Sequence, residues 1–294
     1  MPDGHPRRVD AERRASSSDE IALPRVGRDR AAFTAYMRAS AVGHSALPTF
    51  SAVASTLAMA QTSDPVMTAE RPMDPKELSA LEKDEVGRAA ADLVESGMLV
   101  GLGSGSTAAR FVVHLAARRL RIRCIAPSVS AAELADSVGL DVEPWEALPS
   151  LGRLDIAVDG ADQVASDGWI VKGGGGAHRR ERVVARAAGR FVVIVDSSKL
   201  VERIHPPIPL EIAPGDVTEA LAALATMGRA RVRDGWPPSP DGGVIADLVG
   251  PVDDPGSLAA RLAAVPGVLD HGLFGPSLVS DVLVARGGRV VRYR

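Results

Sequence analysis

The stretch Met98-Leu99-Val100-Gly101-Leu102-Gly103-Ser104-Gly105-Ser106-Thr107 decides the fold: an apolar strand enters a glycine turn and leaves it as a helix. Ala108, Phe111, Val112, Leu115 and Ala116 then recur at the i, i+3, i+4, i+7, i+8 spacing of a helix packed on a sheet. Outward from this unit, the apolar pattern predicts a helix over 75–96, strands over 121–126, 154–158 and 191–195, and helices over 131–138 and 178–188. Such alternation argues for a parallel sheet with helices on both faces, an α/β Rossmann-like sandwich. Between 208 and 274 the rhythm changes to β-α-β-β-α-β, with strands at 208–212, 229–233, 244–249 and 267–274 and helices at 217–227 and 255–264. That order predicts a smaller ferredoxin-like α+β domain over 207–274, inserted near the C-terminus of a main α/β domain made of 73–206 and 275–294. A hairpin turned at Gly287-Gly288 closes the chain.

At 294 residues the chain is long enough to bury a core without disulfides, and its 46% hydrophobic and 24% charged content is that of an ordinary globular protein. A formal charge of -3 points neither to bulk nucleic-acid binding nor to an acidic tail. Cys124 is the single cysteine, so no internal disulfide forms and a reducing, cytoplasmic address is expected. Residues 1–72 hold nine Arg, no Lys and no sustained period, and read as a weakly ordered extension or as sequence ahead of a start at Met67 or Met73. Within them 46–60 is moderately apolar and ends Ala58-Met59-Ala60, but its Pro48, its Ser and Thr content and its shortness argue against a secretory signal and against a membrane span. Basic residues are unevenly divided, 30 Arg against four Lys at 76, 83, 172 and 199. Those four are positions where a compact point charge is wanted, or leftovers of codon bias.

Gly101, Gly103 and Gly105 give G-x-G-x-G rather than the dinucleotide fingerprint, whose third glycine would fall at Ser106, and no acid follows the next strand at Ala126 to hold a ribose hydroxyl. The turn still offers backbone N–H groups and the hydroxyls of Ser104, Ser106 and Thr107: a phosphate cradle at a helix N-terminus, or simply a capped tight turn. Asp159-Gly160-Ala161-Asp162 follows directly on strand 154–158 and puts two carboxylates at the carboxyl edge of the sheet, where open α/β folds keep ligands; a solvated Asx turn shows the same pattern. Lys172-Gly173-Gly174-Gly175-Gly176, between a strand at 169–171 and a helix, is a run whose flexibility is useful where backbone must approach something closely. In that helix Arg179, Arg182, Arg186 and Arg190 form one polar stripe, and Glu181 falls with Val184 and Ala188 on the inward side. An inward acid is costly unless paired or working, and Lys172 is the partner the pattern offers, as a tuned pair or a structural one.

Together these segments resemble ribose-5-phosphate isomerase of the A type. The resemblance rests on Val100 through Thr107, Val158 through Asp162, Lys172 through Gly176 with Arg180-Glu181 after it, and Asp196-Ser197-Ser198-Lys199, four motifs in order, and it runs from about Glu77 to the C-terminus. It implies an aldose-ketose isomerase of the non-oxidative pentose phosphate pathway, interconverting ribose 5-phosphate and ribulose 5-phosphate through an enediolate, with no metal or cofactor, no nucleic-acid or membrane partner, and a homodimeric assembly. It implies that Glu181 moves a proton between C1 and C2, that Lys172 stabilises the enediolate with the N–H groups of Gly173, Gly174, Gly175 and Gly176, and that Asp159 assists ring opening. Asp162, flanked by Gly160 and Ala161, would hold sugar hydroxyls; Lys83, Lys199 and Ser104-Gly105-Ser106-Thr107 would take the phosphate. Departures from the family pattern are Gln163, where an acid is usual, His178 and Arg179, which replace an apolar pair, and a thinned Ser/Thr turn over 127–131. His178 reads as a surface residue of its helix's first turn.

Two rivals are weaker. An aminosugar-phosphate deaminase or a lactonase on a related fold needs a catalytic His near the sheet edge, and His114 falls among Arg110 and Arg118 on the polar side of its helix. A sugar-phosphate sensor needs an N-terminal helix-turn-helix, absent from the pattern of 1–72, and has no use for Glu181 and Lys172.

Overall fold

Asp74 opens the first helix with a capping box: its Oδ1 accepts the Lys76 N–H at 2.8 Å while its own N–H donates to Glu77 Oε2 at 3.4 Å. The computed structural model describes residues 73–293 and the pair Arg25–Val26. Helix α1 (Pro75–Ala91) stops short of the expected 96 because Arg118 Nη1 takes the carbonyls of Ala91 and Val94, supplying partners that a further turn would otherwise provide. The chain continues through β1 (Leu99–Leu102), α2 (Ser106–Ala117), β2 (Arg123–Ile125), α3 (Val129–Ser137), β3 (Ile156–Asp159), β4 (Gln163–Ala165), β5 (Ile170–Val171), α4 (His178–Ala187), β6 (Phe191–Asp196) and β7 (Leu200–Val201). The ferredoxin-like unit follows as β8 (Ile208–Ile212), α5 (Val217–Leu224), β9 (Arg229–Val232), β10 (Val244–Val249), α6 (Pro255–Ala263) and β11 (Val268–His271). Last come β12 (Leu273–Phe274), β13 (Asp281–Arg286) and β14 (Arg289–Tyr293).

The main sheet runs β14-β13-β6-β3-β1-β2, parallel throughout except for the β13–β14 hairpin. Arg25–Val26 pairs in parallel with Arg292 and Tyr293 at its edge; the rest of 1–72 lies outside the described residues. Central strands are covered on both faces, which is why they read as continuous apolar runs rather than as alternation. Val100, Leu102, Val192 and Ile194 pack with Val86, Phe111 and Leu115 from α1 and α2, whereas Leu99, Ala157, Val193 and Val195 pack with Val184 and Ala185 of α4. At Gly101 a Cβ would lie 2.5 Å from Val184 Cγ1, so the glycine lets α4 settle directly on the sheet.

The ferredoxin-like sheet is antiparallel in the order β9-β10-β8-β11, around a core that includes Ile208, Leu210, Ile212, Leu224 and Leu262. A third sheet, β12-β5-β4-β7, is made of strands only two or three residues long and connects the two larger sheets. Because β1, β3 and β6 run the same way, their carboxyl ends share one edge. From β1 the chain steps to β2 on one side and later returns to β3 on the other, and a crevice opens where that order reverses.

Candidate active site

Asp159, the last residue of β3, spans this crevice. Its Oδ1 accepts the N–H of Ser104, from the turn after β1, at 3.1 Å and that of Gly160 at 2.7 Å. Gly103 lies so close to the same carboxylate that any Cβ there would collide with it. Lys172, just past β5, brings its Nζ to 2.8 Å from Asp159 Oδ2, 2.5 Å from Gly160 O and 3.3 Å from Glu181 Oε2. Glu181 stands in the first turn of α4; Ser104 Oγ donates to its Oε1, and its Oε2 accepts no hydrogen bond from a described residue. All three charged side chains are buried, with Asp159 at 4%, Lys172 at 3% and Glu181 at 4% exposure.

Burial raises the Asp159 carboxyl above the ordinary carboxylate range; Lys172 opposes that rise and Glu181 adds to it. For Lys172 burial acts downward, but Asp159 and Glu181 outweigh it and hold the ammonium above its usual range. The lysine therefore stays a cation between two carboxyl groups, one of which takes up a proton unusually readily.

Around this centre, Asp162 is exposed and its Oδ2 accepts the Gly174 N–H at 2.7 Å, tying the loop after β3 to the glycine run. Gly160 and Ala161 are half-buried between the two aspartates, while Gly105 and Ser106 are exposed at the start of α2, and Thr107 is buried behind them. After β6, Ser197–Lys199 forms a 3-10 turn capped by Asp196, whose Oδ1 accepts the Ser198 N–H at 3.0 Å. Buried Glu82 of α1 accepts from Ser197 N at 2.9 Å and Ser197 Oγ at 2.8 Å, which fixes α1 to this turn and sets Lys83 Nζ 4.0 Å from Asp196 Oδ2. Lys199 ends the turn, half-buried. Such a site offers a carboxylate base, a cation buried beside it, and a rim of N–H, hydroxyl and ammonium donors suited to an anionic, hydroxylated ligand.

The sequence profile described as ribose 5-phosphate isomerase A (phosphoriboisomerase A) matches residues 123–288. The chain belongs to the ribose 5-phosphate isomerase A family. Ribose-5-phosphate isomerase A of Halobacterium salinarum is 41% identical to it over 204 residues, 67% of this chain and 88% of that protein. The Caulobacter vibrioides protein of the same name is 41% identical over 218 residues, 70% of this chain and 94% of that one. Among solved structures, ribose 5-phosphate isomerase A of Methanocaldococcus jannaschii superposes with a TM-score of 0.67 at 34% identity, over 71% of this chain and 96% of the other. A D-ribose-5-phosphate isomerase in complex with phospho-erythronic acid gives 0.69 at 28% identity, over 75% and 99%.

On helix α4 of this ribose 5-phosphate isomerase A family member, the structure corrects two expectations. His178 is fully buried rather than on the surface, and burial lowers the pKa of its imidazole. Arg182 leaves the expected polar stripe: its Nε lies 2.8 and 2.9 Å from the two Asp270 carboxylate oxygens, its Nη2 donates to the carbonyls of His271 and Leu273, and its guanidinium stacks 4.0 Å over Phe274. Both follow from one cause, the ferredoxin-like domain lying against the face of α4 that helical periodicity assigns to solvent. Gln163 is structural, since its Nε2 donates to His205 O at 2.8 Å and its Oε1 accepts from His205 N at 3.0 Å. Arg179 stands 3.6 Å from buried Glu211, and in the thinned turn Ser128 Oγ still caps α3 by accepting from Ala131 N at 3.2 Å. Arg180, part of the motif that ends in Glu181, has a partner that no local pattern announces: it donates to Asp241 Oδ1, 61 residues away, at 2.7 Å and stacks on Trp145 at 4.6 Å. His114 sits in the last turn of α2, at the end remote from the crevice, 3.1 Å from Asp84. It takes no part in the site.

Proposed function

We propose that the chain interconverts ribose 5-phosphate and ribulose 5-phosphate, with Glu181 carrying the proton between the two carbons. The observation that supports this most is the buried contact of Lys172 Nζ with both Asp159 and Glu181 at the sheet's switch point. In the open-chain aldose, Glu181 takes the proton from C2, the C1–C2 bond becomes the double bond of an enediolate, and the same carboxyl returns the proton to C1. The O2 hydroxyl proton passes to O1, so the ketose differs from the aldose only in the placement of two hydrogens. A carboxylate that swings between adjacent carbons suffices for this transfer. Lys172 and the N–H groups of the glycine run face the oxygen on which negative charge develops. Asp159, whose acid and base forms are both accessible, moves a proton between the anomeric hydroxyl and the ring oxygen when the furanose opens. Asp162 receives sugar hydroxyls, and Lys83, Lys199 and the Ser104–Thr107 turn receive the phosphate.

Purified protein given ribose 5-phosphate, with ribulose 5-phosphate followed directly, tests the reaction; no ketose formed above the uncatalysed rate would refute it. We also propose a homodimer, on the ground that closed two-fold symmetry is the commonest assembly, and a cytoplasmic address, on the ground of a single, buried cysteine. Light scattering at micromolar concentration tests the first: a monomer's mass would refute it. No helix among the described residues is long and apolar enough to cross a membrane.

A further inference from the structure

Arg233, just past β9 in the inserted domain, has every edge of its guanidinium engaged. Its Nε and Nη2 grip the two carboxylate oxygens of Asp247 on neighbouring β10, each at 2.7 Å, and its plane lies 4.6 Å over the Trp236 ring. Its own N–H donates to Ile245 O at 2.9 Å, so its backbone is fixed to the sheet as well. The remaining nitrogen, Nη1, reaches out of the domain and donates to two consecutive carbonyls of the glycine run, Gly173 O at 3.1 Å and Gly174 O at 3.0 Å. The side chain is only 12% exposed.

We propose that Arg233 is a positioning residue for the glycine run, setting the direction in which the run's N–H groups point. In a trans peptide the C=O and N–H of one plane point opposite ways. The carbonyls of Gly173 and Gly174 belong to the same planes as the N–H groups of Gly174 and Gly175. Holding both carbonyls on Arg233 turns both N–H groups to the other side, and the Gly174 N–H is indeed found there, 2.7 Å from Asp162 Oδ2. A run of four glycines has more conformations open to it than any other tetrapeptide, and the turn bond inside it, Gly176 N–H to Gly173 O at 3.1 Å, leaves the Gly174–Gly175 peptide plane for Arg233 to orient. A guanidinium anchored on a sheet selects it before substrate arrives, and donors fixed in advance need no reorganisation as charge develops. The inserted domain thus contributes to the reaction without touching the sugar. The inference rests on the reading of the glycine run and Lys172 as the group that faces the enediolate.

The test uses the full chain with Arg233→Ala, Arg233→Lys and Lys172→Met, measuring kcat, KM and inhibition by phospho-erythronic acid, whose planar carboxylate imitates the enediolate oxygens. One lost oxyanion donor costs about 10² to 10³ in rate, and misdirected donors cost less, so Arg233→Ala is expected to lower kcat about 10- to 100-fold. KM should stay within about threefold and affinity for the acid should weaken in step with kcat. Guanidinium ion added at non-denaturing concentration should restore part of the lost kcat in Arg233→Ala and none in the wild type. Arg233→Lys keeps the charge but lacks the fork that spans carboxylate and carbonyls together, and should fail similarly while melting close to the wild type. Wild-type kcat in both Arg233 variants, or a lowered kcat with unchanged affinity for the acid, would overturn the inference. If Lys172→Met also left that affinity unchanged, the reading of the site beneath it would fall with it; if Lys172→Met weakened it and Arg233→Ala did not, the assignment of Arg233 alone would be wrong.

Discussion

Asp270→Ala tests whether the helix that carries Glu181 is held in place from the inserted domain. The substitution removes the carboxylate that meets Arg182 Nε at 2.8 and 2.9 Å, in a pair whose side chains are each 11% exposed. Taking one partner from a buried ion pair costs about 3–5 kcal/mol, because the other charge stays behind without compensation. Arg182 would keep the carbonyls of His271 and Leu273 and the face of Phe274, which places the expected loss near the bottom of that range, about 3 kcal/mol. Against a total stability of about 5–15 kcal/mol this is a large fraction. Urea unfolding should show a lower midpoint with an unchanged slope. The double variant Arg182→Met, Asp270→Ala should recover part of the loss, since it no longer buries an orphaned charge. A cost below about 1 kcal/mol, the value of an exposed pair, would show that Arg182 reaches solvent freely and that the junction is not a buried one.

Glu181→Gln keeps size and most hydrogen bonding but cannot accept the proton, so kcat should fall by about 10² to 10⁴ with KM little changed, and retention of more than about a tenth of wild-type kcat would exclude it as the base. Lys83→Ala and Lys199→Ala should raise KM more than they lower kcat, and steady-state kinetics that showed the reverse would remove them from the phosphate site. Gly101→Val would drive a side chain into Val184 and Ala157, 2.5 and 2.9 Å from the new Cβ; thermal denaturation should register about 1–3 kcal/mol of overpacking, with lower kcat because α4 moves. His271 is held neutral by burial, its pKa lowered from 6.5 to about 4, so between those values the unfolded chain binds more protons and stability falls as pH falls. The contribution approaches about 3 kcal/mol at the acid end. Asp159 contributes with the opposite sign, but equally in wild type and in His271→Val. On acidification through that range the urea midpoint of the wild type should therefore fall relative to that of His271→Val; parallel curves would show that His271 titrates normally.

The sandwich was legible because each strand of its centre is covered on both faces and so spells an unbroken apolar run, as over 191–195, and each covering helix carries one apolar stripe. Asp159, Lys172 and Glu181 were legible too, since each follows a strand or opens a helix at the edge where a parallel sheet presents its loops. Less visible was anything decided by the approach of the second domain. Helical period puts Arg182 on the same side as Arg179 and Arg186, and that side would face water if α4 had a single neighbour. Asp270, 88 residues further on, makes it an interior position. His178 was misread for the same reason. The third sheet escaped because strands such as Gln163–Ala165 and Leu200–Val201 are too short to show a period and exist only through distant pairing. Arg233 gave no sign at all, being one arginine among thirty whose task appears only when the glycine run is seen 60 residues back along the chain.

The Arg182–Asp270 pair also bears on when an enzyme molecule first becomes competent during its own synthesis. A nascent chain exposes Lys172 and Glu181 well before the residues that hold them, since Asp270 emerges 88 residues after Arg182 and β13, which completes the sheet beside β6, later still. At about 5–20 residues per second that interval is roughly 4–18 s. Throughout it the helix that carries Glu181 lacks its anchor and β6 has an open edge, which makes the ribosome-bound intermediate prone to mispairing. Assembly of the site is in effect the last folding event, and its timing is set by the order of translation.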